Sequence, residues 1–149
     1  MIDIGDKGRP LSAEDIEELE RSLDVTLPEA YRSFLLSTNG GRPWPDIVDV
    51  PGLPGSPTDV QVLLGIDRDI ASENILWRAE FIARDYPAQR LVPVGSDSGG
   101  NCFCLQVRDG IASNVVFGDL YGWNAHIPSL YAVAPDFATF LSQLRALAS

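Results

Sequence analysis

The start of the chain alternates hydrophobic and polar residues at the spacing of an α-helix. Ile16, Leu19 and Leu23 fall on one face, and glutamates occupy much of the remaining surface. Ser12 followed three residues later by Asp15 has the composition of an N-terminal capping box. The pattern therefore predicts an amphipathic helix that begins directly after Ser12, with an acidic face whose simplest role is solvation.

A second helix is predicted directly afterwards. It begins at Pro28, because proline is favoured in the first turn of a helix. It ends at Asn39-Gly40-Gly41, since these residues tolerate the left-handed conformation of a helix C-cap. Its hydrophobic stripe consists of Ala30, Tyr31, Phe34 and Leu35.

Residues 42–58 interrupt this regular pattern. Five of the 11 prolines of the chain fall in this segment. A connection of this length without regular structure is usually functional or disordered. Four hydrophobic residues favour a loop that is held against the protein: Trp44, Ile47, Val48 and Val50.

The second half of the chain alternates in the manner of strands. Asp109-Gly110 has the composition of a tight hairpin turn between two of them. In the strand before that turn, cysteines alternate with large hydrophobic residues, so that the two sets face opposite sides of a sheet. The predicted extended segments are 60–66, 91–94, 101–107, 112–117 and 131–134.

Two further helices are predicted among these strands. Ser72 can cap the first, which carries Ile75, Phe81 and Ile82 on one face with Trp77 nearby. The last helix starts at Pro135. Its predicted buried face consists of Phe137, Phe140, Leu141, Leu144 and Leu147.

These elements predict a single α+β domain. Strands linked by hairpins indicate a mainly antiparallel sheet, with a helix pair at the N-terminal side and a closing helix at the C-terminal side. A chain of 149 residues is about the size of one domain. We expect residues 1–11 to be a flexible leader and residues 12–149 to form the domain.

The charge of the chain narrows the choice of partners. There are 11 Lys and Arg residues against 21 Asp and Glu residues, for a net charge of −10. A negative surface repels phosphate backbones, which disfavours direct binding of nucleic acid. The excess acid either serves solubility or attracts a basic protein partner.

The hydrophobic runs are too short to cross a membrane, and no basic start followed by an apolar run indicates a signal peptide. Cys102 and Cys104 lie two residues apart in a predicted strand, a separation of roughly 6.6 Å. A disulfide requires Cβ atoms about 3.8 Å apart. We therefore expect free thiols and a cytoplasmic location.

Candidate catalytic and metal-binding residues are few. The turn that begins at Gly95 resembles a nucleophile elbow, but Asp97 occupies the position of the nucleophile. Cys102, Cys104 and His126 offer fewer than the four ligands of a structural zinc site. A catalytic Cys–His pair would require a proximity that the spacing does not indicate. These patterns predict no cofactor and no metal, and an enzyme that uses Cys102 or Cys104 is a third hypothesis, weaker than the two kinds of binding protein described below.

The three tryptophans leave two roles open. Trp77 has the spacing of a core residue on its predicted helix, whereas Trp44 and Trp123 fall in predicted loops. Each can be a buried anchor, but an exposed tryptophan in a loop is also a common hot spot of protein interfaces.

Three segments together resemble a known family. Residues 27–36 followed by Asn39-Gly40-Gly41 resemble the opening signature of the SUKH superfamily. Residues 91–105 are similar to its central strand–turn–strand, and residues 133–141 are similar to its closing helix. The order and spacing of these segments extend the resemblance from about Ser12 to Leu147.

The resemblance implies an α+β domain that binds another protein without catalysis of its own. In bacteria such a domain typically neutralises a toxin, often a nuclease. The expected partner is then a basic toxin domain encoded nearby. The alternative is an intracellular regulatory adaptor that binds a host protein or a peptide, as for the fungal cell-wall-assembly regulators of the superfamily.

The candidate partner-binding residues come from three predicted loops. Asp97 and Asn101 equally fit a role in holding their own turn together. The full set is Trp44, Asp46, Asp97, Ser98, Asn101, Asp119, Tyr121 and Trp123.

Overall fold

The computed structural model describes residues 2–120 and 129–147. The helices in this part are α1 (Ala13–Leu23), α2 (Glu29–Thr38), α3 (Ile75–Asp85) and α4 (Phe137–Ser142), with a short 3₁₀ turn at Ala71–Glu73. The strands are β1 (Asp3–Gly5), β2 (Arg42–Trp44), β3 (Ile47–Val48), β4 (Thr58–Asp59), β5 (Val62–Leu63), β6 (Leu91–Ser96), β7 (Cys102–Arg108), β8 (Ile111–Asp119) and β9 (Ser129–Ala134).

The main sheet contains five strands in the order β5-β6-β7-β8-β9, and every neighbouring pair is antiparallel. Two small antiparallel pairs, β1 with β2 and β3 with β4, complete the strand pairing of the described residues. The prediction of an α+β domain with a mainly antiparallel sheet is confirmed.

Local sequence signals account for the ends of the first two helices. The backbone N–H of Ser12 donates to the carboxylate of Asp15 at 2.8 Å, and the Asp15 N–H donates to the Ser12 hydroxyl, which completes a capping box. Asp24 and Asn39 end α1 and α2 in the left-handed conformation, with φ of 53° and 48°. The predicted start of α1 after Ser12 and the predicted end of α2 at Asn39 are confirmed, whereas the sequence analysis made no prediction for the end of α1 at Asp24.

The backbone directly after α2 has a conformation and a close contact that only glycine permits. Gly40 has a φ of 80°, and a Cβ atom at this position would lie 2.7 Å from the carbonyl oxygen of Leu63. The Asn39 side chain donates to the Ile66 carbonyl at 2.8 Å and accepts from the Ile66 N–H at 2.7 Å. The end of α2 is therefore fixed to the chain that follows β5.

The sheet has a hydrophobic core on each face. Phe103 and Leu105 of β7 belong to the larger core, which also receives the buried side chains of α1, α2 and α4. Cys102 and Cys104 belong to a smaller core together with Ile82 of α3. The predicted alternation along β7 is confirmed.

The segment predicted as a flexible leader contains β1, which pairs with β2. Arg68 binds both the backbone carbonyl and the carboxylate of Asp6, at 2.9 and 3.2 Å. Arg9 forms ion pairs with Asp15 and Asp67. These contacts connect the segment to α1 and to the loop after β5.

Two stretches of chain differ from the predictions. Residues 42–58, predicted as irregular, contain β2 and β3. The strand predicted over 60–66 is reduced to β5, because neighbouring residues pair with different segments. The Val60 N–H donates to the Asp46 carbonyl, whereas the Gln61 N–H donates to the Ser96 carbonyl.

The predictions for α3 and α4 require corrections at four residues. The last helix begins at Phe137, with Asp136 as its N-cap, and not at Pro135. Ser72 lies in the 3₁₀ turn and does not cap α3, which begins after Asn74. Trp77 is 50% exposed because it lies about 200° around the helix from the buried Ile75. Leu147 is exposed and lies beyond the last residue of α4.

In the described part of the chain, no helix combines the length and the hydropathy needed to cross a bilayer.

Candidate protein-binding surface

Backbone hydrogen bonds bring several of the predicted contact segments to one end of the main sheet. The Val60 N–H donates to the Asp46 carbonyl at 2.7 Å, which places the segment after β2 beside the segment before β5. The Gln61 N–H donates to the Ser96 carbonyl at 2.8 Å. The surface formed by residues 44–46, 58–61, 96–101 and 119–120 is called the sheet end below.

Asp97 holds the turn between β6 and β7 at the centre of the sheet end. Its carboxylate is buried and accepts from the Asn101 N–H at 2.8 Å and from the Thr58 hydroxyl at 3.0 Å. The Gly100 N–H donates to its backbone carbonyl. Since both carboxylate oxygens have acceptor roles inside the protein, Asp97 positions the neighbouring residues of the surface.

Ser98 and Asn101 connect the same turn to its neighbours. The Ser98 N–H donates to the Asp59 carboxylate at 2.9 Å, and the Ser98 hydroxyl donates to the other oxygen of that carboxylate. The Asn101 side-chain oxygen accepts from the Leu120 N–H at 3.0 Å. These contacts join the turn to β4 and to the end of β8, where Asp119 pairs with Ser129.

Trp44 is the most exposed of the described tryptophans. Its side chain is 61% exposed, although its backbone is paired with Asp3 of β1. Asp46, two residues further along, is half-buried. A large aromatic ring on a strand with a fixed backbone can bury its area against a partner at a small cost in conformational entropy.

The sheet end carries negative charge at its surface. Within residues 2–120 and 129–147, neither Asp46 nor Asp59 forms an ion pair. The nearby guanidinium of Arg78 donates to the Ser96 hydroxyl at 3.1 Å and to the Gly100 carbonyl at 3.3 Å. Through these two hydrogen bonds, Arg78 of α3 stabilises the turn between β6 and β7.

The two thiols lie below this surface and are both free and buried. A hydrogen bond with Cys104 lowers the pKa of Cys102, and the charge of Arg78 acts in the same direction. The same hydrogen bond, together with burial, raises the pKa of Cys104. Burial of both sulfur atoms removes them from contact with a solvent-borne substrate.

Some predicted residues lie outside the described ranges, namely Tyr121, Trp123 and His126. Among the residues that the structure does describe, no group of three or more His, Cys, Asp or Glu side chains could hold a metal ion.

Sequence reasoning missed Asp59 and Arg78, which fix the turn from two sides. Asp59 follows the proline-rich segment without any motif, and Arg78 lies within an ordinary helical pattern. Their roles depend on contacts across 39 and 18 residues of chain. A local pattern carries no signal for contacts of this kind.

The described residues form a small α+β domain in which several loops meet at one end of an antiparallel sheet. Residues 10–143 match the model of the SMI1 / KNR4 family (SUKH-1), and the chain belongs to this family. The resemblance derived from the sequence is thereby confirmed. No curated protein and no solved structure matches the chain significantly.

Proposed function

We propose that this chain is an immunity protein that binds and neutralises a bacterial toxin domain without catalysis of its own. Membership of the SUKH-1 family supports a role in binding another protein. The observation that carries the proposal is the exposed indole of Trp44 on a paired strand, two residues before the acidic Asp46. The proposal places the protein in the cytoplasm, with both thiols reduced.

Electrostatics supports a basic partner. The net charge of −10 favours fast association with a positively charged protein. A nuclease exposes basic residues where it binds phosphates, so carboxylates of the sheet end can occupy those positions and block the site. Asp46 and Asp119 are the proposed acidic contacts of this kind.

The remaining candidate residues divide by environment. Trp44 and Ser98 are exposed and are proposed to contact the partner directly. Asp97 and Asn101 are proposed to act indirectly, because their hydrogen bonds hold the turn that contains Ser98. Tyr121 and Trp123 remain proposed contacts from the segment that follows β8.

The proposal predicts that a toxin domain is encoded beside this gene, and co-expression of the chain with that domain tests it. The chain should protect the cells and form a stable complex. Trp44→Ala should weaken that complex about thirtyfold or more, because truncation of a hot-spot residue costs at least about 2 kcal/mol. Ile111→Ala is the matched control, because Ile111 is similarly exposed but lies at the hairpin on the opposite end of the sheet.

The result that would overturn the proposal is the absence of both protection and complex formation. The adaptor alternative makes a different prediction. A pull-down from native cells should then recover a host protein through the same surface, and Trp44→Ala should reduce its recovery. The match to the SMI1 / KNR4 family model supports this alternative, because the superfamily includes regulators as well as immunity proteins.

A further inference from the structure

Helix α3 exposes hydrophobic side chains that the fold does not use. Leu76 is 45% exposed and Trp77 is 50% exposed, although both lie in the first turn of a regular helix. Ile70, just before the 3₁₀ turn, is also exposed. Contiguous exposed apolar surface can mark an interaction site, and Leu76, one residue of this group, lines a cavity.

Leu76 lies at the centre of a groove between α1 and α3. A cavity of about 280 Å³ is lined by Leu19, Ile66 and Leu76. A second cavity of about 510 Å³ continues along α3 past Ala79. Leu76 and Ser22 line both cavities, so the two form one continuous groove, which is called the α1–α3 groove below.

The rim of the α1–α3 groove carries more acidic than basic residues. Asp15, Glu18 and Asp67 line the first cavity together with Arg9, and Glu80 lines the second together with Arg90. Over the described residues, neither Glu18 nor Glu80 takes part in an ion pair. The groove therefore combines an apolar floor with carboxylates that can receive a cation.

Two carboxylates of the rim bind the guanidinium of Arg9 within the protein itself. Arg9 lies between Asp15 and Asp67, with nitrogen–oxygen distances of 3.2 and 2.9 Å. The hydrogen bond from Arg9 lowers the pKa of Asp15 to about 2. The carboxylates of Asp15 and Asp67 are thus spaced to hold a guanidinium, and Glu18 lines the same cavity beside them.

We propose that the α1–α3 groove docks a basic segment of the partner protein in which aliphatic side chains alternate with arginines. Leu76 would contact the aliphatic side chain, and Glu18 and Glu80 would receive the cations. The inference rests on the proposed function and adds to it a second contact surface that is separate from the sheet end.

A synthetic peptide tests the chemistry of the groove without the toxin. The probe contains two leucines four residues apart with arginines on both sides, and it is titrated into the full ¹⁵N-labelled chain. We expect saturable shift changes at Glu18, Ser22, Leu76 and Ala79. A peptide with serines in place of the leucines should bind about tenfold more weakly, because it keeps the charge and loses the apolar contact.

Variants of the full chain make the test specific. Leu76→Ser should weaken binding of the leucine peptide about tenfold, whereas Ile111→Ser, at a similarly exposed position, should leave it unchanged. Glu18→Gln removes charge without changing size and should also weaken binding. Equal binding of both peptides, or shift changes centred on the sheet end, would overturn the inference.

Affinity measurements with the toxin domain distinguish a failure of this inference from a failure of the proposed function. If the complex forms and Leu76→Ser leaves its affinity unchanged, the groove inference is wrong and the proposed function stands. If no complex forms while the leucine peptide binds the groove, the proposed function is wrong and the chemistry of the groove stands.

Discussion

Replacement of Arg68 should show how strongly the N-terminal segment and the 3₁₀ turn depend on one buried charge. The side chains of Arg68 and Glu73 are only 5% and 7% exposed, and they form an ion pair at 3.0 Å. Arg68 also donates to the backbone carbonyls of Asn39 and Asp6, at 3.0 and 2.9 Å. Arg68→Met would leave the buried Glu73 carboxylate with Arg42 as its remaining partner, at 3.2 Å.

Loss of one partner of a buried pair costs about 3–5 kcal/mol. Since Arg42 continues to compensate Glu73, we expect Arg68→Met to lower the free energy of unfolding by about 3 kcal/mol, the lower end of that range. Arg84→Met is the control, because its pair with Asp85 is exposed and screened by solvent, so that its loss should leave the free energy of unfolding almost unchanged.

Urea unfolding followed by far-ultraviolet circular dichroism measures both values. The double variant Arg68→Met/Glu73→Leu adds a second criterion. Because it removes both buried charges, it should be more stable than Arg68→Met alone. A loss below about 1 kcal/mol for Arg68→Met, or a double variant less stable than the single one, would refute the reasoning.

Two further predictions concern the thiols and the first helix. Cys102 and Cys104 should react slowly with a maleimide in the native protein and rapidly after denaturation, because both are buried; fast native labelling would indicate a reactive site. The Asp15 carboxylate should titrate near pH 2 in an NMR titration, and Arg9→Gln should move its pKa towards 3.8. Because the folded-state pKa is depressed, this group stabilises the fold above about pH 4, and its contribution is lost as the pH falls from about 3.8 towards 2. An unchanged pKa in Arg9→Gln would show that the guanidinium is not its cause.

Much of the fold could be predicted from sequence because the relevant signals are local. The capping box of Ser12 and Asp15 depends on residues three apart. The turn at Asp109-Gly110 requires two consecutive residues with positive φ, 53° and 75°. The alternation along β7 follows from the pleat of a single strand.

The errors occur where the environment of a residue depends on distant parts of the chain. Trp77 was expected in the core because its helical pattern permits more than one buried face. The buried face of α3 is the one that carries Ile75 and Ile82, because these two side chains pack into the two cores. The strand expected over 60–66 is broken because Val60 pairs with Asp46 and Gln61 pairs with Ser96.

The candidate surface was only partly accessible to sequence reasoning. Exposed polar residues and a loop tryptophan identified segments that can bind, but not their arrangement. Asp97 holds the sheet end together by accepting from Thr58, which lies 39 residues earlier in the chain. The α1–α3 groove was not predicted at all, because helices far apart in sequence form it.

The sequence by itself determined the start of α1, the end of α2, the hairpin, the two-sided strand, the family and the acidic character of the protein. Each of these depends on residue type and on spacing within a few residues. Only the tertiary structure decided which hydrophobic residues remain exposed and which loops meet at the sheet end. Those outcomes depend on hydrogen bonds and packing between segments that the chain brings together only when it folds.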